Sequence, residues 1–271
     1  MTNKNISLVY MVAGISSRFG GRIKAMAKVG PNGETLMEYS LSRAITSGFS
    51  KIVFVVGEAT KESFKKMFGD SFRGVPVEYA EQTFDPAERD KPWGTGQAVA
   101  VLNGCVSGSF VVCNGDDIYG ANDLKTLYDH LSQSEDAAII GYRLSENLSE
   151  KGTSNRGVIY HNENGQVTSL REVLNIDRND LVSKDLSPET LVSMNLFALP
   201  NMVIDEMNKR FQTFKDTHPG DRKTEFMLPM ELSDMIEKNE LQMTVYTAVE
   251  KTIGLTYPED EAIVRAQLIN K

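Results

Sequence analysis

Two cysteines, one tryptophan and three histidines are spread over 271 residues. Cys105 and Cys113 are too few for the bridged framework of a small secreted domain, so they read as two buried thiols in a reducing compartment. Long apolar runs are also missing. Nothing approaches the roughly 20 residues that a membrane-spanning helix needs. The run Ile6–Ala13 leads into a polar, arginine-bearing loop, which is the mark of a first β-strand rather than a signal peptide. An excess of positive charge is lacking as well: 29 Lys and Arg face 37 Asp and Glu, a formal net charge of -8. That balance argues against a duplex nucleic-acid binder and against a polybasic membrane-surface protein. No repeat, low-complexity tract or Pro/Gly-rich linker divides the chain. The expectation is a cytoplasmic protein folded as one domain over 1–271. A chain of this size buries roughly 75% of its unfolded surface.

What is present is an alternation of strands and helices. ISLVYMVAG (from Ile6) and KIVFVVG (from Lys51) are continuous apolar runs, as in strands covered on both faces. VPVEYAE (from Val75), SFVVCNGD (from Ser109) and AAIIGYRL (from Ala137) continue the series, with helix patterns over 35–47, 60–68, 96–102 and 122–132 between them. Strands alternating with helices predict βαβ units and a largely parallel sheet. After Arg156 the pattern changes to a hairpin turning at 162–165, a strand from Leu191, helices over 201–213 and 226–238, and a strand over 241–249. Residues 175–188 read as a surface loop, and Pro258 opens a last helix.

Three segments have the composition of a site. The first strand runs into Ala13-Gly14-Ile15-Ser16-Ser17-Arg18-Phe19-Gly20-Gly21, followed by Lys24. Small residues at the end of a first parallel strand let backbone N–H groups approach a phosphate. Neither G-x-G-x-x-G nor G-x-x-x-x-G-K-[ST] is present, which removes the two commonest phosphate loops. Cys113-Asn114-Gly115-Asp116-Asp117 ends a buried strand in two carboxylates, a setting suited to a hard cation that keeps waters and phosphates as further ligands. Glu81-Gln82 follows another strand, and Lys91-Pro92-Trp93-Gly94-Thr95-Gly96-Gln97-Ala98 comes after it. The Gln82 amide can read a base edge, and the glycines can lie against a planar ring.

In this order the segments resemble the sugar-1-phosphate nucleotidylyltransferases, the family that includes the glucose-1-phosphate thymidylyl- and uridylyltransferases. AGISSRFGG…K is similar to the family's signature loop, GPNGETLMEYSL to the segment after it, KPWGTGQA to its base-contacting turn and NGDDIYG to its metal-binding strand end. The resemblance implies a Rossmann-like α/β/α sandwich with a mostly parallel, mixed central sheet and a small acceptor-side β subregion. It divides the chain into a nucleotide-binding half, 1–135, and an acceptor-binding half, 136–271. It implies an Mg²⁺-dependent enzyme that joins an NTP to a phosphorylated small-molecule acceptor, a sugar 1-phosphate first, and releases pyrophosphate. Arg18, Lys24 and Asp116 are then catalytic. Ala13, Gly14, Ser16, Ser17, Gln82, Gly94 and Thr95 bind the nucleotide. Asp117, Gly157, Glu172 and Asn195 line the acceptor pocket, and Asp116 ligates the metal.

The sequence departs from the family at three places. Ser16 stands where a second loop glycine usually lies, and Val173 replaces a lysine that often follows the sugar-binding Glu172. The late strand that often supplies a second metal carboxylate reads Ile253-Gly254-Leu255-Thr256. Asp117, Glu225 and Asp260 are the candidates for that second ligand, although Glu225 also reads as a helix-start charge and Asp260 as an early-helix acid. Two other functions remain open: a cytidylyltransferase for phosphocholine or a polyol phosphate, and a non-catalytic nucleotide-sugar-binding subunit. Oligomeric state is not readable. Charge distribution favours an anionic ligand at the first loop. The first 33 residues carry Lys4, Arg18, Arg22, Lys24 and Lys28 and no carboxylate, so a local field can draw an anion to an acidic protein.

Overall fold

The structure, a computed structural model, describes residues 4–14, 19–148, 152–255 and 257–269. The first half builds β1 (Ser7–Met11), α1 (Leu36–Ala44), β2 (Lys51–Val56), α2 (Glu58–Phe68), β3 (Ser71–Phe72) and β4 (Val75–Glu81). Next come α3 (Thr95–Ala100), β5 (Phe110–Asn114), β6 (Asp117–Ile118), α4 (Ala121–Gln133) and β7 (Ala137–Arg143). A hairpin of β8 (Thr153–His161) and β9 (Val167–Asp177) precedes β10 (Leu191–Leu199), α5 (Met202–Thr217) and α6 (Leu228–Glu237). The chain closes with β11 (Met243–Thr247), β12 (Ile253–Gly254) and α7 (Asp260–Ile269).

The central sheet has the order β11-β7-β10-β5-β1-β2-β4-β3. β4, β2, β1, β5, β7 and β11 run in one direction, and β10 runs against its neighbours β5 and β7. The expected mixed, mostly parallel α/β sheet is therefore present, with helices on both faces. Alternate residues of the strands feed two cores. Leu8, Tyr10, Ile52 and Phe54 pack with α1, α2 and α4, whereas Val9, Val53, Val55 and Val112 pack with α3, α5 and α6. Continuous apolar strands follow from this double coverage. A smaller cluster joins Phe19, Ala27, Val29, Ile118, Leu255, Val264 and Leu268, which fastens α7 and the segment after the first loop onto β6.

Element ends shift where polar groups decide them. α1 starts at a reciprocal cap, with the Glu38 N–H donating to Thr35 Oγ1 at 3.2 Å and the Thr35 N–H donating to Glu38 Oε2 at 2.8 Å. α2 begins at Glu58, before the expected residue 60, because the Gly57 N–H donates to Thr60 Oγ1 at 3.0 Å. α5 extends to Thr217, past the expected end at 213. β9 continues to Asp177, so the expected loop starts three residues late. Cys113 is buried as expected, but Cys105 is only partly so, and both thiols are free. Among the described residues no helix is long and apolar enough to cross a membrane.

Strand order positions the site. The chain moves from β1 to β2 and β4 on one side, then returns through β5 on the other side of β1. Such a reversal opens a crevice beyond the carboxyl ends of the strands. Beneath it Phe54 is fully buried, with ring centroids of Phe64 at 4.9 Å, Phe68 at 5.0 Å and Tyr79 at 5.9 Å. Phe54→Ala is expected to lower unfolding free energy by about 3–5 kcal/mol, lost transfer and cavity contributions combined. A urea midpoint close to that of the wild type would show that this cluster does not anchor the sheet.

Candidate active site

The crevice between β1 and β5 opens into a cavity of about 230 Å³ lined by Met11, Val12, Gly14, Ile23, Lys24, Ala25, Gly115 and Asp116. Lys24 opens a short 3-10 turn over Lys24–Met26, and its Nζ donates to Asp116 Oδ2 at 3.0 Å. The Lys24 side chain is 15% exposed and that of Asp116 is 44% exposed. The lysine is thus held in the wall while the carboxylate faces the opening. A cation and a carboxylate from opposite sides of the reversal meet at the point where a triphosphate could be gripped. Arg18, Ser16 and Ser17 lie outside the described residues.

Next to it, two further cavities of about 390 and 240 Å³ share Ala13, Gly14, Gln82, Lys91 and Pro92. The smaller one also takes in Gly94, Thr95, Asn114 and Glu225. The expected nucleotide residues Ala13, Gly14, Gln82, Gly94 and Thr95 are therefore brought together. Gln82 Nε2 donates to the Gly94 carbonyl at 2.8 Å. Gly94 has φ +108°, and a Cβ there would lie 2.8 Å from the Phe226 carbonyl, so only glycine closes this wall. The Thr95 hydroxyl is engaged elsewhere, accepting from the Leu228 N–H at 3.0 Å where α6 begins.

The acceptor residues form a polar chain beside the strand end. Asn195 Nδ2 donates to Asn114 Oδ1 at 3.3 Å, and Asn114 Nδ2 donates to Asp117 Oδ2 at 3.1 Å. Asn195 has φ +56° within the irregular stretch of β10, where pairing with β7 shifts register between Ser193 and Phe197. Such a bulge re-aims a side chain that a regular strand would point elsewhere. Gly157 and Glu172 face each other across β8 and β9, and a Cβ on Gly157 would lie 3.7 Å from Glu172 Oε2. Burial pushes the Glu172 carboxyl up, opposed by Arg156. Arg156 is directly opposite Val173 in the hairpin register. Its Nε donates to the Asn147 carbonyl and its Nη1 to the Asn155 carbonyl, each at 2.9 Å. A cation thus enters from the neighbouring strand, across from the position where the family often has lysine. Sequence reasoning passed over Arg156 and Asn114, because cross-strand register and a bulge assign them.

Asp116 fits a hard cation that takes one protein carboxylate and completes its shell with water and phosphate oxygens, as Mg²⁺ does. Among the described residues no three His, Cys, Asp or Glu side chains gather around a common point. The other metal candidates have their own partners. Glu225 pairs with Lys91 on the base-side cavity. Asp260 accepts from the Tyr257 N–H at 2.8 Å, in keeping with an early-helix acid. Asp117 faces the late strand: β12 pairs with β6, which sets Gly254 opposite Asp117, and a Cβ on Gly254 would lie 2.4 Å from Asp117 Oδ1.

Residues 22–249 match the sequence profile of the nucleotidyl transferase family. The chain belongs to that family. A UTP–glucose-1-phosphate uridylyltransferase, AglF of Haloferax volcanii, is 29% identical over 150 residues, 55% of this chain and 56% of that protein. The chain thus matches little more than half the length of this curated relative. A UDP-glucose pyrophosphorylase solved with UDP-glucose superposes with a TM-score of 0.68 over 97% of this chain and 98% of its own, at 15% identity. HddC from Yersinia pseudotuberculosis, solved with GMP-PN, superposes with a TM-score of 0.63 over 96% and 98%, also at 15% identity. At such identity these structures establish the Rossmann-like fold.

Asp117 makes the strand end sensitive to pH. Burial first, and then repulsion from Asp116, push its carboxyl up to about 7 against the help of Asn114, Lys24 and Tyr119. A carboxyl whose pKa is higher in the fold than in the unfolded chain binds more protons when folded. Its stabilising contribution is therefore complete below about pH 4 and is lost as pH rises through about 7. In the presence of a chelator, Asp117→Asn is expected to gain stability over the wild type as pH rises from about 4 to about 8. Urea midpoints of the two proteins at pH 4, 6 and 8 check this; a constant gap would place the strain elsewhere.

Proposed function

We propose that this nucleotidyltransferase couples an NTP with a sugar 1-phosphate in an Mg²⁺-dependent reaction that gives an NDP-sugar and pyrophosphate. The observation that carries this reading is the Lys24–Asp116 pair at the β1–β5 crevice, with the cavities that Gln82 lines and the hydrogen-bonded chain of Asn195, Asn114 and Asp117 beside it. The relatives support the substrate class: one is a UTP–glucose-1-phosphate uridylyltransferase, and one structure holds UDP-glucose.

The acceptor phosphate oxygen attacks the α-phosphorus, and the bond to the β-phosphate oxygen breaks as pyrophosphate leaves. This nucleophile is already ionised near neutral pH, so no general base is needed. His130, His161 and His218 are correspondingly engaged in local hydrogen bonds with Tyr246, Asn162 and Phe214. What remains is positioning and charge neutralisation. Lys24 turns its ammonium toward the reacting phosphates. Arg18 holds the leaving pyrophosphate. Asp116 would hold Mg²⁺, which when bound supplies electrostatic stabilisation of the phosphate oxygens. Arg156 supplies the cation of the acceptor pocket in place of the lysine absent at Val173. Gly157, Glu172 and Asn195 supply its polar surface, and Glu172 offers an acceptor for sugar hydroxyls.

Lys24→Ala and Asp116→Ala are each expected to lower turnover by about 10²–10³, as loss of one preorganised charge contact does, with the far-ultraviolet spectrum unchanged. Near-normal pyrophosphate release by either variant would remove that residue from the site. Arg156→Met is expected to raise the acceptor KM by roughly tenfold while the NTP KM stays near its wild-type value, the pattern of a lost binding contact. Equal changes in both constants would mean that Arg156 only ties the hairpin to the 147 loop.

A further inference from the structure

Gln97 lies in the first turn of α3 and is 4% exposed. Its amide meets backbone groups whose hydrogen-bonding sense cannot change. The Trp93 N–H donates to Gln97 Oε1 at 3.0 Å, and Gln97 Nε2 donates to the Thr83 carbonyl at 2.7 Å. Rotating the amide by half a turn would set N–H against N–H and oxygen against oxygen, so Gln97 has one orientation. The same Oε1 accepts from Gln82 Nε2 at 3.0 Å, and the other hydrogen of that amide goes to the Gly94 carbonyl. A primary amide has two N–H donors, and both are committed. What Gln82 keeps for a ligand is its carbonyl oxygen, on a residue that lines both base-side cavities.

We propose that Gln97 is a positioning residue for base selection. Together with the Gly94 carbonyl it fixes the sense of the Gln82 amide and makes the base subsite a hydrogen-bond acceptor, which selects a triphosphate whose base has a protonated ring nitrogen (uracil, thymine or guanine) over cytosine and adenine. The inference rests on the reading above that the base occupies the cavity beside Gln82. A ring N–H meets Oε1 directly. The bare ring nitrogen of cytosine or adenine sets lone pair against lone pair and leaves Oε1 unsatisfied. Sites built to hydrogen-bond one group reject analogues that cannot pair with it far more strongly than apolar pockets do.

Two readouts separate this inference from the transferase reading. Titration calorimetry with Mg²⁺ measures Kd for UTP, dTTP, GTP, CTP and ATP, and the same five are assayed for pyrophosphate release with a panel of hexose 1-phosphates. The tightest of UTP, dTTP and GTP is expected to bind at least roughly tenfold more tightly than CTP and ATP. Gln97→Met removes one of the two acceptors that pin Gln82, and the Kd ratio is expected to fall to about threefold or less. A merely loosened fold would weaken all five ligands together and leave the ratio intact. Tighter binding of CTP or ATP, equal binding of all five, binding of none or a wild-type ratio in Gln97→Met overturns the inference. Absence of pyrophosphate release with every pair overturns the transferase reading alone, since the Kd ratio still decides the role of Gln97.

Discussion

Everything at this site depends on one contact between opposite charges, Lys24 on Asp116 across the reversal of strand order. Each partner is placed by a different crossover. Lys24 follows Phe19, which packs in one cluster with Val264 and Leu268 of α7, while Asp116 follows β5, whose register with β1 is set by five residue pairs from Ser7 with Phe110 to Met11 with Asn114. The pair is only partly buried, so its own contribution to stability is small. Its importance is positional: it brings a lysine held in a wall against a half-open carboxylate where the crevice opens.

The acceptor side obeys a different constraint. Asp117 lies one residue beyond Asp116 yet turns inward, where burial and the neighbouring carboxylate oppose its ionisation. The cost is offset by a chain of amides, Asn114 and then Asn195, that an irregular β10 delivers. Strain is thus concentrated in one place, a positive-φ asparagine and a raised carboxyl within one hydrogen-bonded group. Such features persist when surrounding structure over-determines them. β12 accommodates the carboxylate from the other side, since Gly254 leaves open the space in which a Cβ would lie 2.4 Å from Asp117 Oδ1.

Much of this was legible in the sequence, and the part that was not has physical reasons. Apolar strands, the helices between them and the NGDD strand end are local patterns, so Lys24, Asp116, Gln82 and Gly94 could be placed by their positions at strand ends and turns. The antiparallel insertion of β10 could not, because a buried strand reads the same in either direction. Arg156 was hidden because its significance comes from the residue opposite, and register is not a property of one strand. Gln97 was hidden inside a short helix, where an amide in TGQAVA carries no sign of what it faces. Asp117 was expected to contribute to the acceptor site, but which way its carboxylate turned depended on a strand more than 130 residues later.

The acidic balance of the whole chain now has a place in the chemistry. A surplus of carboxylates would repel triphosphates if it were spread evenly, yet several are neutralised where they stand. Arg210, 15% exposed, takes Glu206 at 2.9 Å, Asp234 at 2.5 Å and Glu240 at 2.6 Å between α5 and α6. Glu261 pairs with Arg22 at 2.8 Å and Glu225 with Lys91. These last two pairs have a further consequence. Arg22 lies two residues before Lys24 and Lys91 lines the cavities beside Gln82, and each is bound to a carboxylate from the C-terminal third of the chain. Charge thus links these two positions to the last helix and to the segment just before α6.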